Sequence, residues 1–407
     1  MISPVHTWTA ERTGLLGNLM PETLLTWQQK KLELLIQFAR INSKFYQEHL
    51  PDSTVLTELP FTSPTDIASD PYAFLAIPPG LVARVTTLAN SGTTPLKKRI
   101  FFSKADLERT IDFFAAGMST MTSPGDNAQI LISNRTENSL GSLLSESLSR
   151  IGVTSNLPGV IRSAGAAIEA SRSADCLIGM PAELLYMCRM APDLRPKSVL
   201  LAADYIPQSV IEGIKETWDC SVFSHYGHTE FGFGCTVDCL HHNGYHLRDA
   251  DLIFEIIEPG TSRAVNHGER GELVVTTLSN EAMPLIRYRT GHISRIIHEP
   301  CSCGGSLHRL GRIEGRIDNV FPVEDGKTIS IHQLDEILFA DPSIRCFNAS
   351  LNNEGRKYTL QLTIDSNGLL DLSTLAAMLP QGLKIEVKYA SVDPFSHRSK
   401  RRIYSQQ

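Results

Sequence analysis

From Pro21 to Leu50 the chain reads PETLLTWQQKKLELLIQFARINSKFYQEHL, with apolar residues three and four apart, a spacing that predicts one or two amphipathic helices lying on the body of the protein. Between about residues 80 and 220 the pattern changes to short apolar runs, AQILISN, ADCLIGM and KSVLLAADYI, alternating with helical stretches such as ADLERTIDFFAAGMS and PAELLYMCRMA. Alternation of strands and helices predicts a mainly parallel sheet covered by helices, so the fold class is α/β. From about 245 to 298 the runs DLIFEIIEP, GELVVTT and ISRIIHE are short and separated by turns, which predicts a smaller, more antiparallel β-rich subdomain. After Gly315, the segments TISIHQLDEILF, RKYTLQLTID and KIEVKYA predict a small α+β domain of about ninety residues. The expected domains are therefore residues 1–314 and 315–407, and the chain holds no internal repeat or low-complexity segment.

A chain of 407 residues with 42% apolar content can bury one large core and a smaller one, in two or three domains. The net charge of -6 and the absence of a basic stripe argue against nucleic acid as a partner. No apolar run approaches the roughly 18 residues of a membrane span, and MISPVHTWTAERTG has no signal-peptide core, so the expected location is the cytoplasm, away from a membrane. The eight cysteines are then expected as thiols or metal ligands.

Ser91 to Arg99 reads SGTTPLKKR, whose composition suits wrapping a polyphosphate, with ATP as the first ligand to consider. Gly92 lets backbone N–H groups approach phosphate oxygens, Ser91, Thr93 and Thr94 add hydroxyl donors, and Lys97, Lys98 and Arg99 add cations. The loop stands between the extended-looking VARVTTLAN and a strand-to-helix passage, RIFFSKADLERTIDFF. A plain turn between two strands is the competing reading.

The cysteines carry a second signal. Cys235 and Cys239 stand four apart in GFGCTVDCLHHNGYH, Cys301 and Cys303 two apart in EPCSCGG, and His241, His242 and His246 crowd the first pair. Two short-spaced pairs match the loop-separated halves of a closed tetrahedral zinc site, against an alternative of unconnected buried thiols.

Four more segments, SHYGHTE (224–230), GELVVTTLSNEAMPLIRYRTG (271–291), GRIEGRIDN (311–319) and the tail SHRSKRRIY, follow SGTT in order. Together they resemble the adenylate-forming superfamily, most closely its phenylacetate–coenzyme A ligase branch, over roughly residues 45 to 404. The resemblance implies a large N-terminal domain that binds ATP and an acid, and a small C-terminal domain that rotates between two half-reactions. It implies ATP-dependent activation of a carboxylic acid, aryl or arylacetic, through an acyl-adenylate, then transfer to coenzyme A. Thr229 and Glu230 match the residues that hold the α-phosphate and magnesium, and Tyr226 and Gly227 belong to the same nucleotide motif. Arg316 matches a residue near the ribose and phosphate, Asp318 the hinge, and Lys400 the tail lysine that orients substrates, with Arg398, Arg401 and Arg402 leaving its register open. Some members of the branch carry a structural metal, and the match picks Cys239, His246, Cys301 and Cys303, with Cys235 and His241 as competitors. A homodimer is compatible with this reading.

The chain also departs from the family pattern. RTGH puts His292 where an aspartate usually grips both ribose hydroxyls, Pro95 replaces a glycine, Asn319 replaces a second hinge acid, and NRTENSLGSLL lacks the usual aromatic acyl-pocket stretch. These changes keep two alternatives open: an adenylating or nucleotidylating enzyme with another acceptor, and a non-catalytic accessory homologue.

Overall fold

The computed structural model describes every residue except 1, 89–96, 133–135, 137, 318–319, 324–325, 355–356, 397–399 and 407. The chain forms two compact units, one of Met1–Met121, Ser142–Ile151 and His225–Asp318, the other of Thr122–Gly141, Gly152–Ser224 and Asn319–Gln407.

In the first unit, Pro21–Leu50 folds as the helices Pro21–Asn42 and Lys44–His49, broken at Ser43, whose backbone is extended. Leu24, Leu32, Leu35, Ile36 and Ala39 are the buried stripe that the spacing predicts. Strands Val82–Leu88 and Lys98–Ser103 pair antiparallel, with Leu88 opposite Lys98. Ser103 then caps the helix Lys104–Met118 through a reciprocal pair of bonds with Asp106. The β-rich region contains an antiparallel sheet ordered Leu252–Ile257, Gly271–Thr277, Tyr288–Ser294, Gly315–Arg316, and a second sheet ordered Ile296–Ile297, Arg309–Leu310, Tyr245–Leu247, Thr236–Val237.

The second unit holds the parallel sheet, in the order Thr154–Asn156, Asn127–Ile130, Cys176–Gly179, Ser198–Leu201, Ser221–Ser224. Its strands Cys176–Gly179 and Ser198–Leu201 are buried along their whole length, as expected of a sheet with both faces covered. From Asn319 onward the same unit contains the helix Ile331–Phe339 and a four-stranded sheet ordered Lys384–Tyr389, Lys357–Ser366, Ile344–Glu354, Ile403–Gln406. One apolar core joins these parts, with Leu185, Met187 and Trp218 from the parallel-sheet region clustering with Leu334, Phe339 and Phe347. Polar contacts reinforce it at helix ends. The Glu336 carboxylate accepts from the N–H groups of Gln208 (2.9 Å) and Ser209 (3.1 Å) at the start of helix Gln208–Trp218, while Arg189 donates to the carbonyls of Phe339 and Ile344. Among the described residues, no helix is long and apolar enough to cross a membrane.

Candidate active site and metal centre

The segment from His225 folds back on itself. Tyr226 O accepts from Cys235 N and Thr236 N, and His228 O accepts from Phe231 N and Phe233 N around the short 3-10 helix Thr229–Phe231. Gly227 is required by this close approach, because a Cβ there would stand 1.8 Å from the carbonyl oxygen of Phe233. The turn brings Glu230 inward, where its side chain is 1% exposed, and leaves Thr229 at the start of the helix in a partly buried position.

Both Glu230 oxygens are held. Lys98 Nζ lies 2.5 Å from Oε1 and the Tyr288 hydroxyl donates to the same oxygen at 3.1 Å, while His228 Nδ1 lies 2.5 Å from Oε2. Lys98 Nζ also reaches the Tyr288 hydroxyl at 3.2 Å. Burial by itself would raise the Glu230 pKa, but the charges and hydrogen bonds of His228 and Lys98 prevail and hold it well below the ordinary carboxylate value. The site therefore contains a buried carboxylate locked in its charged form.

Next to this group, the Tyr226 hydroxyl and His292 Nδ1 are 3.1 Å apart. His292 lies on the strand Tyr288–Ser294 directly opposite Arg316, and its N–H donates to Thr290 Oγ1. The rings of Tyr226 and His228 stand 5.4 and 5.5 Å from that of His292, so the YGHTE, RYRTGH and GRID motifs meet in one place. Ser91, Gly92, Thr93, Thr94 and Asp318 lie outside the described residues, as do Pro95 and Asn319.

Two residues of this cluster, His228 and Tyr288, were not singled out from sequence, and Lys98 was named only as one of three loop cations. Lys97 is exposed; the cation that enters the site is its neighbour Lys98. Strand periodicity carries that signal, since Lys98 lies two residues from buried Ile100 and shares its face, whereas Arg99 faces out. His228 and Tyr288 stand inside the quoted motifs without any spacing that sets them apart.

Lys400 is exposed and belongs to the second unit, where it lines a cavity of about 560 Å³ with Glu183, Asp204, Asp335 and Tyr404. Arg401, its neighbour, is instead tied down: Nε lies 2.8 Å from Asp335 Oδ1, the backbone N–H donates to Asp204, and Nη1 donates to Phe347 O. Both cations line the cavity, and Lys400 is the more exposed of the two.

The ligand atoms of Cys239, His246, Cys301 and Cys303 all lie within 4.8 Å of one another, and all four residues are buried. Cys239 Sγ is 3.7 Å from Cys301 Sγ, close to the edge of about 3.8 Å that Zn–S bonds of about 2.3 Å give a tetrahedron. Cys303 Sγ lies 3.6 Å from His246 Nε2. The Cys301–Gly305 turn makes this geometry: Gly304 adopts φ +91°, and the N–H groups of Cys303 and Gly305 point at the sulfurs of Cys301 and Cys303. Burial, helped by Arg309 and His6, lowers the His246 pKa to about 4, leaving the neutral imidazole that a metal requires. Burial pushes the Cys239 thiol up to about 12, so a bound cation would supply the charge that stabilises its thiolate. The donor set fits a closed zinc site. Cys235 is buried outside the group, with its thiol pushed up to about 12 by burial, and His241 is exposed.

No protein-family model matches the chain. In sequence it is similar to the phenylacetate-coenzyme A ligase of Thermus thermophilus, 26% identical over 360 residues covering 81% of this chain and 78% of that protein. It is likewise similar to that of Pseudomonas putida, 25% identical over 356 residues covering 78% of each. In structure it resembles a 2-hydroxyisobutyryl-CoA ligase in its postadenylation state, with a TM-score of 0.80, 17% identity and coverage of 94% of this chain and 89% of the other. An anthranilate CoA ligase matches over 75% of this chain and 63% of its own, at 13% identity and a TM-score of 0.53. Sequence similarity over most of both chains, a shared fold and five motifs in order point the same way: the chain is similar to phenylacetate-coenzyme A ligases and shares the fold of a CoA ligase.

Proposed function

We propose that the protein activates a carboxylic acid with ATP and passes the acyl group to coenzyme A. The observation that carries this reading is the convergence of Lys98, His228, Glu230 and Tyr288 with Tyr226, His292 and Arg316, assembled by the motifs through which the chain resembles its family. In the first half-reaction the substrate carboxylate attacks the α-phosphate of ATP, forming the acyl-adenylate and releasing pyrophosphate. In the second, the thiol of coenzyme A attacks the acyl carbonyl and AMP leaves. The barrier of the first step lies mainly in bringing two anions together, so fixed cations and N–H donors do most of the catalysis.

In this reading residues 91–94 hold the ATP phosphates, Lys97 adds a surface cation, and Arg316 and Thr229 act at the α-phosphate. Glu230 holds Lys98 in place, and Tyr226, Gly227 and His292 form the wall for the ribose. Lys400 is the point charge presented to the carboxylate and α-phosphate, on a C-terminal domain, residues 315–407, that moves with Asp318 as its pivot. Magnesium enters as the counter-ion of ATP. Because both Glu230 oxygens are already held by protein groups, no step is assigned to magnesium at Glu230. Cys239, His246, Cys301 and Cys303 would hold zinc, which with four protein ligands would serve stability and not catalysis.

Phenylacetate and other arylacetates head the acid panel because the relatives in sequence are phenylacetate-coenzyme A ligases. Incubation with ATP, magnesium, coenzyme A and each acid should yield a thioester of the expected mass together with AMP. Formation of an adenylate that persists beside unconsumed coenzyme A would show that the acceptor is a different nucleophile.

A further inference from the structure

Three histidines meet at one edge of the first unit, apart from the cysteine cluster. Strands Ile296–Ile297 and Arg309–Leu310 pair antiparallel with Ile297 opposite Arg309, so His298 and His308 are the next facing pair in that register. Their ring centroids are 4.4 Å apart. His267 comes from the turn that leads into strand Gly271–Thr277, a turn closed by the bond from Glu269 N to Asn266 O and by Gly268 at φ +77°. Its ring lies against that of His298, with centroids 3.3 Å apart. Among the described residues no hydrogen bond reaches a ring nitrogen of any of the three.

We propose that His267, His298 and His308 form a second metal site, for a late first-row divalent cation, separate from the cysteine centre. Imidazole nitrogen suits zinc, nickel and copper, and donors brought together by strand pairing and a fixed turn bind as a chelate at high effective concentration. Two positively charged rings at this separation would repel strongly, whereas three neutral rings around one cation would not. Burial, with the facing imidazoles, holds His298 and His308 below their ordinary value, which keeps their lone pairs available near neutral pH. Glu22, whose charge acts on His308, supplies a carboxylate to the same region. The rings stack where a cation would need them to converge, so binding turns them about χ2, a soft torsion. A cation there would tie the turn before Gly271 to the base of the hairpin that carries Cys301 and Cys303.

The test is calorimetric titration of nickel ion into full-length protein whose cysteine centre already carries zinc. One nickel per chain is expected beyond the zinc, with X-ray absorption at the nickel edge showing a nitrogen shell and no sulfur. His298→Ala and His308→Ala should each weaken binding by about tenfold or more, since a chelate loses a donor. His267→Asn, placed in an exposed turn where folding is not at stake, should weaken it as well. Absence of saturable uptake, uptake unchanged in the His298→Ala/His308→Ala double variant with its zinc and melting temperature retained, or sulfur in the nickel shell would each overturn the proposal.

Discussion

Glu230 and His292 show how a buried residue takes its chemistry from its neighbours. Glu230 stays charged in a buried site because Lys98, His228 and Tyr288 surround it, while the His292 ring and the Tyr226 hydroxyl form a wall beside it. If the ribose lies against that wall, His292→Asp restores an acceptor for two hydroxyls, and ATP should bind about tenfold tighter or more by calorimetry, about 1.4 kcal/mol per decade. An unchanged or weaker dissociation constant would place the ribose elsewhere. Asp249 shows the opposite electrostatics, since burial alone raises its pKa to about 8. The folded state then binds a proton that the unfolded state releases, so the contribution is fully stabilising at low pH and is lost as pH rises from about 4 through about 8. Asp249→Asn should flatten the fall in melting temperature between pH 5.5 and about 8, as scanning calorimetry can read. At this scale motifs single out Glu230, Tyr226 and Cys239 in the sequence. Lys98 was legible only as one of three adjacent cations, since which of them turns inward follows from the pairing of the two strands.

Each site depends on a short element whose backbone leaves little freedom. Gly227→Ala drives a Cβ into the Phe233 carbonyl, and the turn has to open, so a destabilisation of at least about 1–3 kcal/mol in denaturant unfolding is expected. A variant as stable as the wild type would show that the turn can relax. The cysteine turn also secures the N-terminus: Ile2 lies against Gly304, His6 Nε2 is 3.2 Å from Ser306 Oγ, and Ser306 Oγ donates to Leu19 O. Leu307 packs with Ala10, Leu19 and Leu24 in a small separate core. Removing zinc with a chelator should therefore lower the melting temperature and expose the first twenty or so residues to limited proteolysis, and Cys301→Ser with Cys303→Ser should do the same. Protection unchanged by metal loss would mean that the turn holds without the cation. The helices Pro21–Asn42 and Lys104–Met118 and the three inner strands of the parallel sheet were readable from the pattern of apolar residues, which depends only on neighbours in sequence, whereas Thr154–Asn156 and Ser221–Ser224 were not. The grouping of Cys239 with Cys301 was readable only through the family resemblance, since spacing alone left Cys235 and His241 equal to it.

At the scale of the whole chain, much of the structure rests on contacts between distant residues. The core shared by Leu185 and Trp218 with Leu334 and Phe347, and the capping of helix Gln208–Trp218 by Glu336, join residues more than a hundred positions apart. No periodicity announces such pairs, so the sequence reading reached the α+β character of the C-terminal segment but not the surface it meets. Lys400 belongs to that segment, and if it serves the adenylating step alone, Lys400→Ala should suppress pyrophosphate exchange by orders of magnitude while a synthetic acyl-adenylate is still converted to thioester. Equal loss of both half-reactions would instead indicate general damage to the fold. The most direct measurement of the central claim is acid-dependent exchange of pyrophosphate into ATP, run on the wild type and on Glu230→Ala across the panel of carboxylic acids. Exchange that requires one class of acid and collapses in the variant is the expected result. No exchange with any acid, from folded protein that binds ATP, would contradict it.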